Sequence, residues 1–463
     1  MKKQILSIII TVLLVAIVFS GCFEETKKTA TVVESKTLYV DDDGTATYTN
    51  INNAIENASA GDTVYVYEGT YIDDYIRIDK SIILTGENNK TTEIISQEPT
   101  GFGSDASCIS VYADGVTIKN FTIESERTFF GGPAIQLNSD NNIIVNNIII
   151  GDITGIEIGS SSNNHISNNN FIANGYGIEI EYEGYYQMSK NYWTTHEIEN
   201  NYLNGKPIYY YKNVNEGFSV PLDAGQVILA GCSNVIISNL NISNGYHGIQ
   251  IGFSNNIEII NNSISNCQLS GINIFTSTNN MVTNNKIINC SLGIVISDNS
   301  NYNIIDNNVI KDNSNGIHQS DSSDTTIINN TFSGSRFSAI SLDSDSTNNI
   351  VTRNQIFDND YGITLSSECY GNNIFRNNFS NCSDAAIALY TYGVNNIYLN
   401  NFINSNQTTS EYDANNWDNG THGNYWDNYT GADENNDDIG DTPYNIPGGG
   451  KQDRYPMMKP VDI

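Results

Sequence analysis

Basic residues are scarce in this chain. The 463 residues include 21 Lys and Arg against 52 Asp and Glu, which gives a formal net charge of −31. Such a surplus of negative charge repels nucleic acids and anionic lipids, so the composition argues against either as a partner. It also disfavours polyanionic sugars, unless a divalent cation bridges the two polymers.

Helical and zinc-binding patterns are also missing from the body of the chain. Its apolar residues form no stripe at the 3.6-residue spacing of a helix. It contains no CxxC pair and no cluster of Cys and His with the spacing of a zinc site. The sequence therefore excludes a helical bundle and a zinc-stabilised module.

A long apolar run is absent except at the N-terminus. Residues 5–19 are apolar but too few to span a bilayer comfortably. They follow Lys2 and Lys3 and end in Phe19-Ser20-Gly21-Cys22, which resembles a lipobox. We predict a lipoprotein signal peptide over residues 1–21, lipidation of Cys22 and a polar tether over residues 22–37. An ordinary cleaved signal and an uncleaved anchor are the alternatives.

A repeat of about 23 residues runs through most of the chain. Its clearest mark is the triplet Asn-x-apolar, and a second apolar element after Gly or Ala falls between successive triplets. The asparagines are Asn262, Asn285, Asn307, Asn330, Asn354, Asn377 and Asn400. Short β-branched runs at a fixed short period indicate stacked β units. We therefore predict an all-β, right-handed parallel β-helix with coils of 22–24 residues.

The repeated asparagines themselves are predicted to point inward. Neighbouring coils lie about 4.8 Å apart, so equivalent residues form columns along the axis. Earlier coils carry Phe121 and Leu240 at this place, which suggests that the column faces the core. Inward amides can then hydrogen-bond from coil to coil as a ladder. The alternative is that these asparagines only favour turns.

Three cysteines share one place in the repeat, five residues after the asparagine. They are Cys267, Cys290 and Cys382. Cys267 and Cys290 should be neighbours on adjacent coils, at a distance that permits a disulfide. Because both side chains would point the same way, we favour a stacked column of thiols.

The ends of the repeat predict caps, because a solenoid exposes its core at each end. Residues 38–60 hold a short strand and an amphipathic helix, and we take them as the N-terminal cap. The β-helix then covers residues 61–406, with an aromatic-rich insertion at about 181–222. Residues 407–463 form the C-terminal cap with an Asp-rich loop.

Several motifs resemble NosD-like proteins of the pectin-lyase-like β-helix group, whose coils are PbH1 repeats. The motifs are GDTVYV at 61–66, DKSIILTG at 79–86, NGKPIYYYKN at 204–213 and GNYW at 423–426. The tail is similar to that of archaeal, especially methanogen, surface members. The resemblance implies an extracytoplasmic β-helix of a group shared by carbohydrate-binding proteins and sugar hydrolases. It also implies copper binding, since the family takes its name from a copper-binding periplasmic accessory of nitrous-oxide reductase.

The soft ligands that copper prefers are not clustered in this sequence. Met457 and Met458 are the only adjacent methionines. The five histidines are scattered, at His165, His196, His247, His318 and His422. A NosD-like copper-binding role is therefore the interpretation that the residues favour least.

The insertion supplies candidate sugar contacts, because exposed aromatic rings stack on sugar rings. The candidates are Tyr185, Tyr186, Trp193, Tyr209, Tyr210 and Tyr211. The alternative is that these side chains cover the flank of the β-helix.

The Asp-rich loop is a candidate structural calcium site. Oxygen ligands recur at alternate positions, as in calcium-binding loops, although the loop lacks the Gly and the bidentate Glu of an EF-hand. The candidate ligands are Asp433, Asn435, Asp437, the Ile439 carbonyl and Asp441. The alternative is an exposed acidic turn.

Aligned turns in successive coils also group five acidic residues, with His318 and Arg336 nearby. They are Asp298, Asp321, Asp343, Asp345 and Glu368. Paired carboxylates can serve glycoside hydrolysis or calcium-assisted lyase chemistry. We find no basic catalyst in register with them, so the favoured interpretation is non-catalytic. It is a cell-surface lipoprotein, held to the membrane only by its lipid, that presents a rigid face to carbohydrate or another cell-envelope polymer.

Overall fold

The computed structural model describes residues 34–463 except 73–74, 97–106, 126–131, 152–153, 173–176, 181–188, 406–408, 411–413 and 448–449. The predicted signal peptide and Cys22 lie outside the described residues, so the lipid anchor stays a prediction. Among the described residues, no helix is long and apolar enough to cross a bilayer. Two helices are described, α1 (Ile51–Asn57) and α2 (Asn191–Thr194).

The described chain is a right-handed parallel β-helix, as predicted. Strands β1 to β48 are numbered in chain order. Sheet 1 contains β1 (Thr37–Val40), β2 (Thr63–Val66), β5 (Ile83–Gly86), β8 (Thr117–Lys119), β11 (Ile143–Val145), β14 (His165–Ser167) and β17 (Glu197–Glu199). Sheet 2 contains β4 (Ile76–Ile78), β7 (Ile109–Val111), β10 (Ile135–Leu137), β13 (Ile156–Ile158) and β16 (Ile178–Ile180).

One sheet, the long sheet, runs through both halves of the molecule. Its strands are β3 (Gly69–Ile72), β6 (Thr92–Ser96), β9 (Thr122–Ser125), β12 (Ile148–Gly151), β15 (Asn170–Ile172), β18 (Tyr202–Leu203), β19 (Lys206–Lys212), β21 (Gln226–Ala230), β24 (His247–Gly252), β27 (Ser270–Phe275), β30 (Leu292–Ser297), β33 (Asn315–Ser320), β36 (Ser338–Asp343), β39 (Tyr361–Ser367), β42 (Ala385–Thr391) and β45 (Thr409–Ser410). Neighbours pair in parallel except at the β18–β19 hairpin.

The C-terminal half adds two further sheets and a closing hairpin. Sheet 3 contains β20 (Phe218–Ser219), β22 (Val235–Ser238), β25 (Glu258–Ile260), β28 (Met281–Thr283), β31 (Ile304–Asp306), β34 (Thr326–Ile328), β37 (Ile350–Thr352), β40 (Asn373–Phe375) and β43 (Asn396–Tyr398). Sheet 4 contains β23 (Asn241–Ser243), β26 (Ser263–Ser265), β29 (Lys286–Ile288), β32 (Val309–Lys311), β35 (Thr331–Ser333), β38 (Gln355–Phe357), β41 (Asn378–Ser380), β44 (Asn401–Ile403) and β46 (Tyr425–Trp426). The hairpin pairs β47 (Tyr444–Asn445) with β48 (Gln452–Asp453).

The core is built from columns of apolar side chains, one from each short strand. Side chains in a strand alternate between its two faces, so the middle residue of each three-residue strand points inward. In sheet 4 this column is Ile264, Ile287, Ile310, Phe332, Ile356 and Phe379, and all six are fully buried. Because each coil contributes one buried apolar residue to this column, the column repeats with the length of a coil, about 23 residues.

A ladder of buried asparagine amides runs beside this apolar column. The Nδ2 of Asn285 donates to the Oδ1 of Asn308 at 3.0 Å, and that of Asn308 donates to Asn330 at 2.9 Å. The ladder runs through Asn262, Asn285, Asn308, Asn330, Asn354, Asn377, Asn400 and Asn424. Each side-chain amide therefore forms hydrogen bonds with the coil above and the coil below, without water.

The structure corrects the prediction at one rung, because Asn307 is not part of this ladder. Asn307 is exposed, has a left-handed φ of 52° and donates to Asn284 at 2.6 Å on the outside of the turn. The next residue, Asn308, fills the buried place and precedes Ile310 by two residues. Both asparagines fit the Asn-x-apolar pattern, so the pattern alone could not choose between them.

A separate outer column of asparagines occupies the turn between sheets 3 and 4. Its members have left-handed φ angles, which Asn tolerates better than most residues. They are Asn239, Asn261, Asn284, Asn307 and Asn329. Both interpretations of the asparagines therefore hold, each for a different column.

The predicted thiol column is also present. Cys267 and Cys290 are buried free thiols, and none of the six described cysteines forms a disulfide. A hydrogen bond with Cys290, together with burial, raises the pKa of the Cys267 thiol.

The insertion joins two stacks that share a strand. In β21, Val227 and Leu229 belong to the C-terminal core, whereas Ile228 and Ala230 belong to the N-terminal core. Glutamine side chains complete the edge of β16, where Gln226 exchanges two hydrogen bonds with the backbone of Ile178 at 2.6 and 3.1 Å. A side chain here replaces the next strand of sheet 2.

Both ends of the described β-helix are covered. At the N-terminal end, β1 pairs with β2, and α1 buries Ile51, Ala54 and Ile55. At the C-terminal end, the carboxylate of Asp453 accepts hydrogen bonds from the Asn424 amide at 2.7 Å and the Trp426 indole at 2.9 Å. Burial raises the pKa of Asp453 to about 6. The C-terminal segment thereby closes the asparagine ladder.

The ladder predicts that Asn308→Asp is far more destabilising than Asn307→Asp. The Nδ2 of Asn308 donates to Val282 O, Asp306 O and Asn330 Oδ1 at 2.9, 3.1 and 2.9 Å. A buried carboxylate would face these three oxygens without a proton to share, which should cost about 3 kcal/mol or more.

Urea unfolding at neutral pH measures this difference directly. The exposed Asn307→Asp variant is the matched control, and it should change the free energy of unfolding by about 0.5 kcal/mol or less. Equal losses in the two variants would contradict the placement of the ladder.

Candidate functional site

The candidate site is the outward-facing surface of strands β27 to β42 in the long sheet, which we call the outer face. Inward residues such as Ile294 and Ile317 are buried, so the alternate residues point outward. The outward residues stand in two columns, because the strands pair in register. These columns are Asn273, Val295, His318, Ser341 and Thr364, and Phe275, Ser297, Ser320, Asp343 and Ser366.

A carboxylate lies at the centre of this face. The Asp343 Oδ2 accepts a hydrogen bond from Ser341 Oγ at 2.7 Å and lies 3.3 Å from Nδ1 of His318. Its Oδ1 accepts a hydrogen bond from the hydroxyl of Ser366. His318 and Asp343 are each partly exposed, so a ligand could reach the pair from solvent.

Hydroxyl groups and amides extend the polar surface along the strands. The Oγ of Ser338 and the Oγ1 of Thr364 are 3.0 Å apart, and the Asn315 side chain accepts a hydrogen bond from the Ser338 backbone at 3.2 Å. Two buried atoms of this face, Oδ1 of Asn273 and Nδ1 of His318, make no hydrogen bond within the described chain. The face therefore offers donors and acceptors at coil spacing.

Three of the predicted acidic residues line one edge of the outer face. Asp298, Asp321 and Asp345 occupy turns after β30, β33 and β36 with left-handed φ angles of 58°, 48° and 48°. Loss of hydration, followed by the charges of Asp298 and Asp345, raises the pKa of Asp321. Loss of hydration also raises the pKa of Asp298. These three carboxylates are thus electrostatic neighbours.

The structure does not bring all five acidic candidates to one point. Asp343 belongs to the His318 cluster, whereas Asp298, Asp321 and Asp345 form the adjacent edge. Glu368 is exposed in the turn after β39, and no hydrogen bond or ion pair joins it to another described side chain. Arg336 is exposed in the turn before β36 and likewise forms no ion pair among the described residues.

The aromatic candidates of the insertion are mostly packing residues. Trp193 is only 1% exposed and stacks on Phe275 at 5.7 Å, so the prediction that it contacts ligand is wrong. The hydroxyl of Tyr210 donates to the Trp193 carbonyl at 2.5 Å. Tyr185 and Tyr186 lie outside the described residues.

Tyr209 and Tyr211 are half-buried and pack against the C-terminal core. Their rings stack at 6.0 Å, and the Tyr209 hydroxyl donates to Asp223 at 2.9 Å. They close one end of that core, which is the covering role that the alternative interpretation predicted. Tyr209 and Tyr211 have this covering role because strand β19 lies between the two stacks. The period of the sequence alone does not show this position.

Exposed aromatic rings occur instead at the C-terminal end of the outer face. Tyr390 follows Ser366 in its column and is 40% exposed. Loss of hydration, then the neighbouring Tyr390 and Asp384, raise the pKa of Tyr361. Tyr361 and Tyr390 therefore form an accessible aromatic edge.

A buried group of titratable residues was missed by the sequence analysis. Glu157 and Glu179 are paired in register on β13 and β16, and both are buried. Glu179 lies 3.1 Å from Nε2 of His247, whose Nδ1 is 2.5 Å from Ser270 Oγ. Burial, then the charge of Glu157, raises the pKa of Glu179 well above its usual range. The repeated motif Gly-Ile-Glu-Ile at 155–158 and 177–180 could have indicated this pair.

In the Asp-rich loop, side-chain oxygens accept hydrogen bonds from backbone amides of the same loop. The two carboxylate oxygens of Asp433 accept from the amides of Asp437 and Asp438 at 3.2 and 3.0 Å. Asn435 accepts from the amide of Asp437 at 3.0 Å, and Asp441 from that of Glu434 at 2.7 Å. Among the described residues, no three Asp, Glu, His or Cys side chains converge as a metal-binding group.

Comparison with protein families identifies one match. The family model described as NosD, periplasmic copper-binding protein, matches residues 199–389 and 299–431. These two matches together span half of the chain. No curated protein matches the sequence.

Solved structures to which the chain is similar include two epimerases and a tailspike protein. One is the mannuronan C-5 epimerase A-module of Azotobacter vinelandii, with a TM-score of 0.33 and 12% identity, covering 80% of this chain and 93% of that chain. A periplasmic alginate epimerase has a TM-score of 0.38 and 12% identity, covering 77% and 75%. The Dettilon tailspike protein has a TM-score of 0.30 and 16% identity, covering 71% of this chain and 64%, less than two thirds, of the tailspike.

The residues present do not fit a copper site of the kind that the family description names. The five histidines are all described, and each lies beside a different group: His165 beside the Ser167 hydroxyl, His196 beside the Tyr192 carbonyl, His247 beside Glu179, His318 beside Asp343 and His422 beside the Thr421 hydroxyl. The adjacent thiols of Cys267 and Cys290 are enclosed in the core. No soft-ligand cluster is therefore presented at the described surface, and copper enters no step below.

Proposed function

We propose that this chain, which belongs to the NosD family, binds a neutral polysaccharide along its outer face. NosD is a periplasmic family, which agrees with a location outside the cytoplasm. The observation that carries the proposal is the row of hydroxyl, amide, imidazole and carboxylate groups around His318 and Asp343. Such groups supply the hydrogen bonds by which proteins recognise sugar hydroxyls.

The repeat spacing suits a polymer better than a single small molecule. Outward positions recur every coil, about 4.8 Å apart, along strands β27 to β42. Tyr361 and Tyr390 add aromatic surface at one end, where a sugar ring can stack. The net charge of −31 favours an uncharged partner on this acidic edge.

Glycan binding at this face should depend on Tyr390. A glycan array probed with the purified chain identifies the polymer, and titration calorimetry then compares variants. We expect Tyr390→Ala to weaken binding by roughly tenfold, through loss of about 1.4 kcal/mol of ring contact. Tyr39→Ala is the matched control, because Tyr39 is 45% exposed in β1, outside the strands of the outer face. Equal loss in both variants, or none in either, would contradict binding at the outer face.

A second candidate function is glycoside hydrolysis at the same face. The observation that favours it is the pairing of Asp343 with His318, with Asp321 following Ser320, the residue that pairs with Asp343 in register. Asp321, with its raised pKa, would donate a proton to the leaving glycosidic oxygen. Asp343 would accept a proton from water as the water oxygen bonds to the anomeric carbon.

Hydrolysis predicts turnover that either carboxylate variant removes. Reducing ends are measured over a polysaccharide panel, and absorbance of unsaturated products tests for lyase chemistry, both with added calcium. If the protein hydrolyses a glycan, Asp343→Asn and Asp321→Asn should each lower the rate at least a hundredfold, and Glu368→Gln should not. Absence of products across the panel would leave the binding function alone.

We also propose that the Asp-rich loop holds a structural calcium ion. Its donors are hard oxygens, from Asp433, Asn435, Asp437, Asp441 and the Ile439 carbonyl, which suit calcium. Support comes from the way that Asp433 and Asn435 already turn toward the amide of Asp437. An ion bound there would offset repulsion within this acidic segment and order the C-terminal cap.

Calcium should therefore stabilise the folded chain. The melting temperature should rise with calcium concentration and fall with EDTA, because the ion binds only the folded state. Asp437→Ala should remove this dependence, while Asp324→Ala, in a turn of the β-helix body, should keep it. A melting temperature of the parent chain that does not change with calcium concentration would overturn the proposal.

A further inference from the structure

Two arginines occupy the turn between sheets 3 and 4 where earlier coils carry asparagine. Arg353 and Arg376 have φ angles of 56° and 54°, and Asn329 in the preceding coil has 56°. The amide of Arg353 donates to the carbonyl of Arg376 at 2.8 Å, so the two residues are directly adjacent along the axis. We call this pair the arginine corner.

Local structure does not account for arginine at these places. A left-handed φ suits Asn and strains residues with longer side chains. Two asparagines in this column also donate to the preceding coil, Asn307 to Asn284 at 2.6 Å and Asn329 to Asp306 at 2.9 Å. Arginine at this place adds strain, and strained residues of this kind concentrate at functional sites.

The surface beside the arginine corner is uncharged. The six strands that meet the corner, β37, β38, β40, β41, β43 and β44, contain no Asp, Glu, Lys or Arg. Among the described residues, neither Arg353 nor Arg376 forms an ion pair with a carboxylate, although the chain has 52 acidic residues. The two guanidinium groups are therefore an isolated positive patch on a protein that is otherwise acidic.

The flanks of the corner supply further recognition groups. Phe375 and Tyr398 stack with ring centroids 5.3 Å apart and planes at 3°. Burial raises the pKa of Tyr398, and the charge of the nearby Arg376 offsets part of that rise. On the other flank, Asn378 Nδ2 donates to Gln355 Oε1 at 3.0 Å. The corner thus combines two cations with amides and aromatic rings.

We propose that the arginine corner binds the carboxylate or sulfate group of an acidic polysaccharide. Guanidinium groups present forked N–H donors that match planar oxyanions, and adjacent coils place two of them side by side. The amides and the tyrosine hydroxyl can bind neighbouring sugar hydroxyls. This second site rests on the proposed function in one respect, that the partner is a glycan, but it lies on a different surface.

The overall negative charge does not oppose this site at physiological salt. Charges separated by more than about 8 Å are largely screened at 0.15 M ionic strength. The six strands that flank the corner contribute no carboxylate at shorter range. Binding should accordingly be local, and it should weaken as salt rises.

The test compares the double variant Arg353→Asn/Arg376→Asn with a charge-matched control. The control is Arg336→Asn/Lys286→Asn, which removes two exposed cations elsewhere. Binding is titrated with a polyuronate, a sulfated polysaccharide and a neutral glucan, at 0.05 and 0.15 M salt. Which acidic polymer binds distinguishes carboxylate from sulfate recognition.

We expect the arginine double variant to bind the acidic polymer at least tenfold more weakly, with neutral-glycan binding unchanged. Its melting temperature should equal or exceed that of the parent, because asparagine suits the left-handed turn. A lower melting temperature with unchanged binding would assign the arginines a structural role. Equal loss in the control, or no binding of either acidic polymer by the parent, would also overturn the proposal. Tyr390→Ala tests the outer face separately, so the two sites can fail independently.

Discussion

Hydrogen bonds between successive coils hold the β-helix of this protein in register. Parallel strands satisfy the backbone, but each coil must also turn, and buried turns leave amide groups unpaired. The ladder from Asn262 to Asn424 satisfies these groups, since each carboxamide accepts from the coil before and donates to the coil after. A shift of one residue in the register of a coil would place a side chain such as that of Asn307 in the core and leave Asn308 outside. The ladder and the apolar columns therefore stabilise the same register of the coils.

That register also explains how surfaces are built. Once the inward residues are set, outward residues of successive coils must form columns about 4.8 Å apart. His318, Ser341 and Thr364 become neighbours on the outer face although 23 residues separate each from the next. The same stacking places Arg353 beside Arg376 on another side of the molecule. Distinct binding surfaces can thus be encoded by changing one outward position per coil, with no change to the core.

The junction between the two stacks is where periodicity stops predicting structure. Strand β21 is buried on both sides, and glutamine side chains complete the edge of β16. Only the long sheet continues across, so its strands β21 and β24 are fully buried, whereas strands from β27 onward carry partly exposed side chains. Burial of Trp193 against Phe275 follows from the same arrangement. The outer face begins where this cover ends.

The fold class, the coil length, most of the ladder and the thiol column follow from the amino-acid sequence alone. These features depend on which residues point inward, and the local period shows this. The pattern did not distinguish neighbouring asparagines such as Asn307 and Asn308, because both fit it. Contacts in the folded chain were needed to show that Trp193 is covered, that Glu179 lies beside His247, and that Asp343 rather than Glu368 lies beside His318. These outcomes depend on packing between segments distant in the chain, and a repeat carries no information about which outward residues another segment will bury.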